Sequence, residues 1–130
     1  MLEKIVVKTK KNREIVDVTD EINKVLKKSA MKNGFCRLFL PHTTAALTAA
    51  NLDPERDLDI LEGIEMVTPK KELSHLRHLL HVPTNIVASF LGSSLTVPFE
   101  KDVLVLGKWQ RVVLIELNGP REREILVGVA

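Results

Sequence analysis

The part of the chain after Gly92 contains strand patterns only. It holds four apolar or alternating runs, SLTVPF, VLVLG, WQRVVLIEL and EREILVGV, separated by the turn signals EKD, GK and NGP. The earlier segments read in the order strands, helix, strand and helices. Because helices and strands are grouped rather than regularly alternating, we expect an α+β fold with a mainly antiparallel sheet and three or four helices. A chain of 130 residues is expected to form one compact domain over residues 1–130.

The N-terminal segments predict a hairpin, a helix and a central strand. EKIVVKTK and REIVDVT both alternate apolar and polar residues, so we expect them to pair through a turn at Lys11–Asn12. Thr19 supplies an N-cap oxygen for a helix that Gly34 is placed to end. FCRLFLP predicts a central strand, and AALTAAN is read as its continuation past a bend at His42.

The middle of the chain predicts three helices. DPERDLDILEGIEMV opens with Asp53 as cap and Pro54 at the first helical position. The buried face of this helix is expected to carry Ile60, Leu61 and Ile64. TPKKELSHLRHLLHVPTNIVASFLGSS predicts two short helices separated at Pro83, the second closed by Gly92.

Composition excludes several classes of protein. The 19 basic and 17 acidic residues are mixed along the chain, and aromatic residues are limited to four Phe and one Trp, which argues against a nucleic-acid binder. The single Cys36 excludes an intramolecular disulfide, and in an apolar strand it is expected to be a small core residue. No run is long enough to cross a bilayer or to form the core of a signal peptide. We therefore expect a soluble, cytoplasmic protein with neither nucleic acid nor membrane as partner.

Three of the four histidines, His75, His78 and His81, are grouped in SHLRHLLH. Neutral imidazole is a good zinc ligand. On an ideal α-helix, however, residues i and i+6 are turned roughly 120° apart, so all three rings meet one ion only if the helix is distorted. Two of them, completed by His42, would suffice for a metal site. The alternative is an amphipathic helix that packs through its leucines, and the spacing alone favours that alternative.

PHTTAALT places His42, Thr43 and Thr44 at the end of the predicted strand. In one interpretation, these side chains and the backbone N–H groups converge on an anion or a metal-bound water. In the other, the threonine hydroxyls bond their own backbone and the segment is a plain bend. NGPRER predicts either a hairpin turn with solvated arginines or a rigid turn that holds Arg121 for a bidentate grip on phosphate or carboxylate. Glu116 faces either the core or the site.

Five sequence blocks taken together are specific for one family. They are PHTTAALT, DP followed by Asp59, ASFLGSSLTVP, LVLGKWQRVVLIEL and NGPRER. In order and approximate spacing they resemble the YjbQ-like family over nearly the whole chain. The resemblance implies a YjbQ-like fold, assembly as a homotrimer, and a site for a metal or an anion near a subunit boundary. It also implies a secondary thiamine-phosphate synthase activity, which joins a pyrimidine methyl diphosphate to a thiazole phosphate with release of pyrophosphate.

The resemblance and the residue chemistry together give a set of site residues. The expected catalytic residues are His42, Asp59, Glu116 and Arg121. The expected substrate-binding residues are Thr43, Thr44, Trp109, Gln110 and Asn85. A divalent metal, zinc or magnesium, would be held by His42 with members of the cluster His75, His78 and His81. No organic cofactor is implied, and the expected partner is a small phosphorylated substrate or anion.

Two positions depart from the family pattern. Asn85 stands where family members usually have a third histidine, and Asn118 stands where they usually have aspartate. An amide is a poor zinc ligand, so either the metal site is lost or His78 or His81 supplies the missing ligand. The alternative to an enzyme is therefore a non-catalytic trimer that binds a phosphorylated metabolite or anion. A third reading is an interaction module whose function is the trimer surface itself.

Overall fold

A computed structural model describes residues 2–52, 60–68 and 83–130. The described part of the chain forms one α+β domain. Its elements are β1 (Leu2–Lys8), β2 (Glu14–Asp17), α1 (Thr19–Lys28), β3 (Gly34–Phe39), β4 (Ala45–Asn51), α2 (Ile60–Val67), α3 (Thr84–Leu91), β5 (Ser94–Glu100), β6 (Val103–Leu104), β7 (Gln110–Glu116) and β8 (Glu122–Val129). The helix start predicted at Asp53 and Pro54, and the short helix predicted before Pro83, lie outside the described residues.

The strands form two antiparallel sheets. Sheet A has five strands in the order β1-β8-β3-β5-β6, and sheet B has three in the order β2-β7-β4. Every strand pair is antiparallel. The predicted antiparallel architecture is thus confirmed, and so is the central position of β3.

Three layers enclose two hydrophobic cores. The first core lies between sheet A, α1 and one face of sheet B, and the second lies between the other face of sheet B and helices α2 and α3. β7 is buried on both faces, with Val112 and Leu114 in the first core and Val113 and Ile115 in the second. This double burial is the reason why the β7 sequence reads as a continuous apolar run rather than an alternating one.

The predicted hairpin of the first two strands is wrong. β1 pairs with β8 in sheet A, whereas β2 pairs with β7 in sheet B. Pairing with different strands lets β1 place Ile5 and Val7 in the first core while β2 packs Ile15 against the second. As a strand of sheet B, β2 also packs Val16 against the first core, so it contributes to both.

Two further connections cross between the sheets. AALTAAN does not continue β3 in sheet A, because β4 pairs with β7 in sheet B. The NGP turn likewise joins β7 of sheet B to β8 of sheet A, so it does not close a hairpin. Both crossings lie at the same end of the domain and place the segment around His42 beside the start of β8.

The limits of α1 differ from those predicted. The N-cap is Val18, and the hydroxyl of Thr19 instead accepts the backbone N–H of Val112 at 2.8 Å. Thr19 is buried, so its hydroxyl needs a partner within the protein, and β7 supplies it. The helix ends at Lys28, well before Gly34, which begins β3.

Several predictions of buried and terminal residues are confirmed. Gly92 ends α3 with φ of 102° and donates its N–H to Ala88. Ile64 of α2 and Cys36 of β3 are buried. Among the helices in the described ranges, none is long and apolar enough to span a membrane.

Candidate functional site

The bend after β3 holds the imidazole of His42 against β8. β3 pairs with β8 as far as Phe39, and Pro41 then follows, which has no N–H for a ladder. Beyond Pro41 the His42 side chain provides the next hydrogen bond to β8, because its Nε2 accepts the backbone N–H of Glu124 at 2.9 Å. A side-chain hydrogen bond therefore continues the contact between β3 and β8 into the bend.

This hydrogen bond determines the tautomer of His42. With Nε2 accepting, the neutral ring carries its proton on Nδ1. Partial burial and the charge of Arg123 lower the pKa of His42 below its ordinary value, although Glu124 and Glu116 act in the opposite direction. At neutral pH the ring is thus uncharged and offers an Nδ1–H donor.

A buried ion pair joins the two sheets beside this bend. Arg123 projects inward from β8 with 3% of its side chain exposed, and Glu116 ends β7 with 0% exposed. Nε of Arg123 donates to Oε1 of Glu116 at 2.9 Å, and Nη2 donates to Oε2. The same Nη2 donates to the carbonyl and hydroxyl oxygens of Thr44 at 3.1 and 2.9 Å. The Thr44 hydroxyl is therefore engaged by Arg123 rather than by its own backbone.

Glu116 accepts two more hydrogen bonds. The hydroxyl of Thr9 donates to Oε1 at 2.7 Å, and the backbone N–H of Asn118 donates to Oε2 at 3.1 Å. Burial alone would raise the pKa of Glu116, but the bonds from Arg123, Thr9 and Asn118 outweigh it and hold the pKa below its ordinary value. The carboxylate is thus ionised, and both of its oxygens accept hydrogen bonds.

The turn from Asn118 to Arg121 closes this end of the domain. The N–H of Gly119 donates to the carbonyl of Asn12 at 2.9 Å. A Cβ at Gly119 would lie 2.8 Å from Cγ of Glu116 and 2.9 Å from Oγ1 of Thr9, so only glycine fits here. Arg121 is exposed, and its Nε donates to the Asn118 carbonyl at 2.8 Å. This bond, with the one from the Arg121 N–H to Oγ1 of Thr9 at 2.9 Å, restrains Arg121, and its role as a phosphate or carboxylate ligand stays a prediction.

Trp109 and Gln110 lie at the opposite end of β7 from Glu116. Six residue steps along the strand lead from Gln110 to Glu116, which corresponds to about 20 Å. Trp109 is 52% exposed with the ammonium of Lys108 at 5.1 Å from its ring centre, and Oε1 of Gln110 accepts the N–H of Gly107 at 2.8 Å. Within one chain, these two residues are therefore not brought together with His42.

The remaining predicted site residues divide into exposed and undescribed ones. Thr43 is exposed in the bend, and Asn85 is exposed in the first turn of α3. Asp59, His75, His78 and His81 lie outside the described ranges.

The divalent metal that the resemblance implies stays a prediction, because His75, His78 and His81 lie outside the described ranges. The residues that are described contain no group of three or more His, Cys, Asp or Glu side chains that could hold an ion by itself. In this structure Nε2 of His42 accepts the Glu124 N–H, so the neutral ring offers Nδ1–H as a donor.

Arg123 is the residue that sequence reasoning missed. A signal was present, because in EREILVGV the arginine occupies the same strand face as Ile125 and Val127, which are buried. Glu116 is likewise the one charge within the apolar run VVLIEL. Two opposite charges in otherwise apolar positions of different strands predict a buried pair.

Several of the polar groups left over at this end are donors. The Nδ1–H of His42, Nη1 of Arg123 and the terminal nitrogens of Arg121 have no hydrogen-bond partner among the residues described. Such a set of N–H groups suits a ligand rich in acceptor oxygens.

The fold and this site define a class: small α+β proteins in which two antiparallel sheets are tied together at one end by a buried Arg–Glu pair beside a histidine at a strand end. The sequence profile of the UPF0047 protein YjbQ-like family matches residues 3–130. The chain belongs to this family.

Relatives of known sequence and structure match nearly the whole length of the chain. A UPF0047 protein of Archaeoglobus fulgidus is 36% identical over 126 residues, covering 95% of this chain and 96% of the relative. UPF0047 protein YugU of Bacillus subtilis is 34% identical over 126 residues, covering 95% and 94%. The crystal structure of a YbjQ-like protein of unknown function from Sulfolobus solfataricus is similar with a TM-score of 0.81 and 36% identity, covering 98% of this chain and 94% of that one. None of these names carries an activity.

Proposed function

We propose that the end of the domain around His42 binds the phosphate group of a small phosphorylated molecule. The observation that carries this proposal is the chemistry of the accessible unused polar groups, which are N–H donors on His42 and Arg121. Phosphate presents several acceptor oxygens, and charge-assisted hydrogen bonds from arginine are among the strong ones.

Arg121 supplies the positive charge that the ligand meets. The charge of Arg123 is matched by Glu116, whereas Arg121 has no acidic partner among the described residues. The bond from its Nε to Asn118 restricts the side chain but leaves the terminal nitrogens for a ligand. An arginine held in this way favours bidentate contact with phosphate over contact with a single charged oxygen.

As the reaction, we propose the secondary thiamine-phosphate synthase activity that the family resemblance implies. Both substrates carry phosphate groups, and negative charge accumulates on the pyrophosphate as it leaves. Donors that are fixed before the reaction stabilise such charge without reorganisation. Arg121 would bind the leaving group, and the His42 Nδ1–H would donate to one of its oxygens.

The alternative is a protein that binds a phosphorylated metabolite without converting it. One observation favours it: Glu116, expected to be catalytic, has both carboxylate oxygens engaged by Arg123, Thr9 and the Asn118 N–H. A carboxylate bonded in this way is a poor general base, because proton uptake would break those bonds.

We also propose that copies of the chain assemble as a homotrimer through the outer face of sheet A. Large apolar side chains are exposed there, namely Leu2, Val6, Phe35 and Phe39. A stable interface buries about 800 Å² per partner, which a five-stranded sheet face can provide. Sedimentation analysis of the wild-type protein and a Phe39→Glu variant tests this assembly. The sedimentation coefficient of the variant should move towards that of the monomer, and an unchanged coefficient would contradict the proposed interface.

The binding proposal is tested by titration calorimetry with inorganic pyrophosphate. The wild-type protein should bind it, and Arg121→Gln should weaken binding about 10-fold or more, as expected for a lost charge-assisted contact. Lys24→Gln on α1 is the matched control, because it removes one positive charge from an exposed residue elsewhere. Equal affinities for the wild-type protein and Arg121→Gln would refute the site. A separate assay with both proposed substrates then detects thiamine phosphate, and binding without product selects the alternative.

A further inference from the structure

Two consecutive residues of β8 hold the bend between Leu40 and Ala45. Glu124 donates its backbone N–H to the His42 ring at 2.9 Å. Arg123 donates from its side chain to the carbonyl and hydroxyl of Thr44 at 3.1 and 2.9 Å. The first and third residues of the His-Thr-Thr segment are therefore both anchored to the same strand.

Stability alone does not account for a charged side chain at this place. Arg123 shares the inner face of β8 with Ile125 and Val127, which are buried. A buried ion pair can often be replaced by apolar residues of similar volume without loss of stability. Apolar residues would not, however, supply the hydrogen bonds that Arg123 makes to Thr44.

Glu116 keeps the guanidinium of Arg123 in one orientation. It accepts from Nε and Nη2 of Arg123, while Thr9 and the Asn118 N–H hold its own oxygens at 2.7 and 3.1 Å. The planar guanidinium is thus fixed by Glu116 on one side and meets Thr44 with Nη2. This chain of contacts runs from the two sheets to the bend that carries His42.

We propose that Arg123 is a positioning residue that acts through Thr44 to keep the His42 ring on the Glu124 N–H, and so presents a fixed Nδ1–H donor to the ligand. The effect on ligand affinity rests on the proposed function. The effect on the tautomer of His42 does not depend on any ligand.

The test compares the wild-type protein with two variants and one control. The double variant Arg123→Met with Glu116→Leu removes both buried charges together, which protects the fold, and Arg123→Lys keeps the charge but loses the planar fork. Ile125→Val, a small core change on the same face of β8, is the control for lost packing. The ¹⁵N shifts of the His42 imidazole, assigned by comparison with His42→Gln, report the tautomer, and calorimetry reports the affinity for inorganic pyrophosphate.

In the wild-type protein and in Ile125→Val, the His42 ring should show one neutral tautomer with the proton on Nδ1. In both Arg123 variants, the two ring nitrogens should shift towards averaged values, because the bend is released. Affinity for pyrophosphate should fall about 10-fold to 100-fold in those variants, the usual cost of losing a group that orients a ligand-binding side chain.

Each outcome decides the proposal. Unchanged ¹⁵N shifts in a folded Arg123 variant would overturn it, whatever the affinity. If the double variant does not fold, Arg123→Lys gives the same readouts. If the wild-type protein does not bind pyrophosphate, the proposed function fails, but the ¹⁵N shifts still decide whether Arg123 positions His42. Averaged shifts with unchanged affinity would also overturn it, because Arg123 would then have no role in binding.

Discussion

Removing one member of the Arg123–Glu116 pair should destabilise the fold more than removing both. Arg123→Met leaves the fully buried Glu116 carboxylate with only Thr9 and the Asn118 N–H as donors. Glu116→Leu leaves the guanidinium of Arg123 buried without its counter-ion. Breaking a buried pair in this way costs about 3–5 kcal/mol. Since a domain has a free energy of unfolding of about 5–15 kcal/mol, each single variant should lose a large share of it.

The double variant should be much closer to the wild-type protein. Both buried charges disappear together, and the main losses are the hydrogen bonds of Thr44 and Thr9, at about 1 kcal/mol each. The double variant should therefore lie within about 2 or 3 kcal/mol of the wild-type free energy of unfolding. The two single costs sum to about 6–10 kcal/mol, so the coupling energy should be about 3 kcal/mol or more.

Urea unfolding at pH 7 measures all four free energies. The protein concentration must be the same throughout, because association would shift the transitions. Arg111→Met is the control, since Arg111 pairs on the surface with Asp17 at 2.7 Å and Asp20 at 3.1 Å, and such exposed pairs should contribute about 1 kcal/mol or less each. Additive single costs, with no coupling, would refute the reasoning about the buried charges.

Three further predictions concern the same end of the domain and the core. Because the pKa of Glu116 is lowered on folding, its contribution to stability should be complete above the ordinary pKa of 4.5 and be lost as the pH falls through the lower folded value. The free energy of unfolding of the wild-type protein should therefore fall with pH in this range, and that of the double variant should fall less. Identical pH profiles for the two proteins would contradict the prediction. Gly119→Ala should cost about 1–3 kcal/mol in urea unfolding, because its Cβ would crowd Glu116 and Thr9, and a wild-type midpoint would rule this out. Burial raises the pKa of Cys36 to about 11, so iodoacetamide should label it only after unfolding, whereas rapid labelling of the native protein would show that the thiol is accessible.

The candidate site was only partly predictable from the sequence. His42 was found because a histidine after an apolar run and a proline lies at a strand end, and Arg121 because a Gly-Pro turn restricts the next residue. The partners of both were not found. Thr9 is far from Arg121 in the chain, and Thr44 is far from Arg123. The pairing of β8 with β1 and β3 brings each of these pairs within hydrogen-bond distance.

The assignment of Trp109 and Gln110 shows another limit of motif reasoning. Blocks that characterise a family need not meet in space within one subunit, and the length of β7 separates these residues from Glu116. Sequence order contains no information on that distance until the strand that connects them is known.

Local sequence by itself determined that the segments after Gly92 are strands, that the sheets are antiparallel and that Cys36 is buried. Apolar periodicity and turn residues act over a few neighbouring positions, so these features can be read from short stretches. Tertiary structure alone decided that β1 and β2 belong to different sheets and that Arg123 pairs with Glu116. Strand pairing is chosen by which arrangement buries both faces of β7, and a buried charge is tolerated only where a distant partner neutralises it. Both conditions depend on residues far apart in the chain, and therefore only the assembled fold satisfies them.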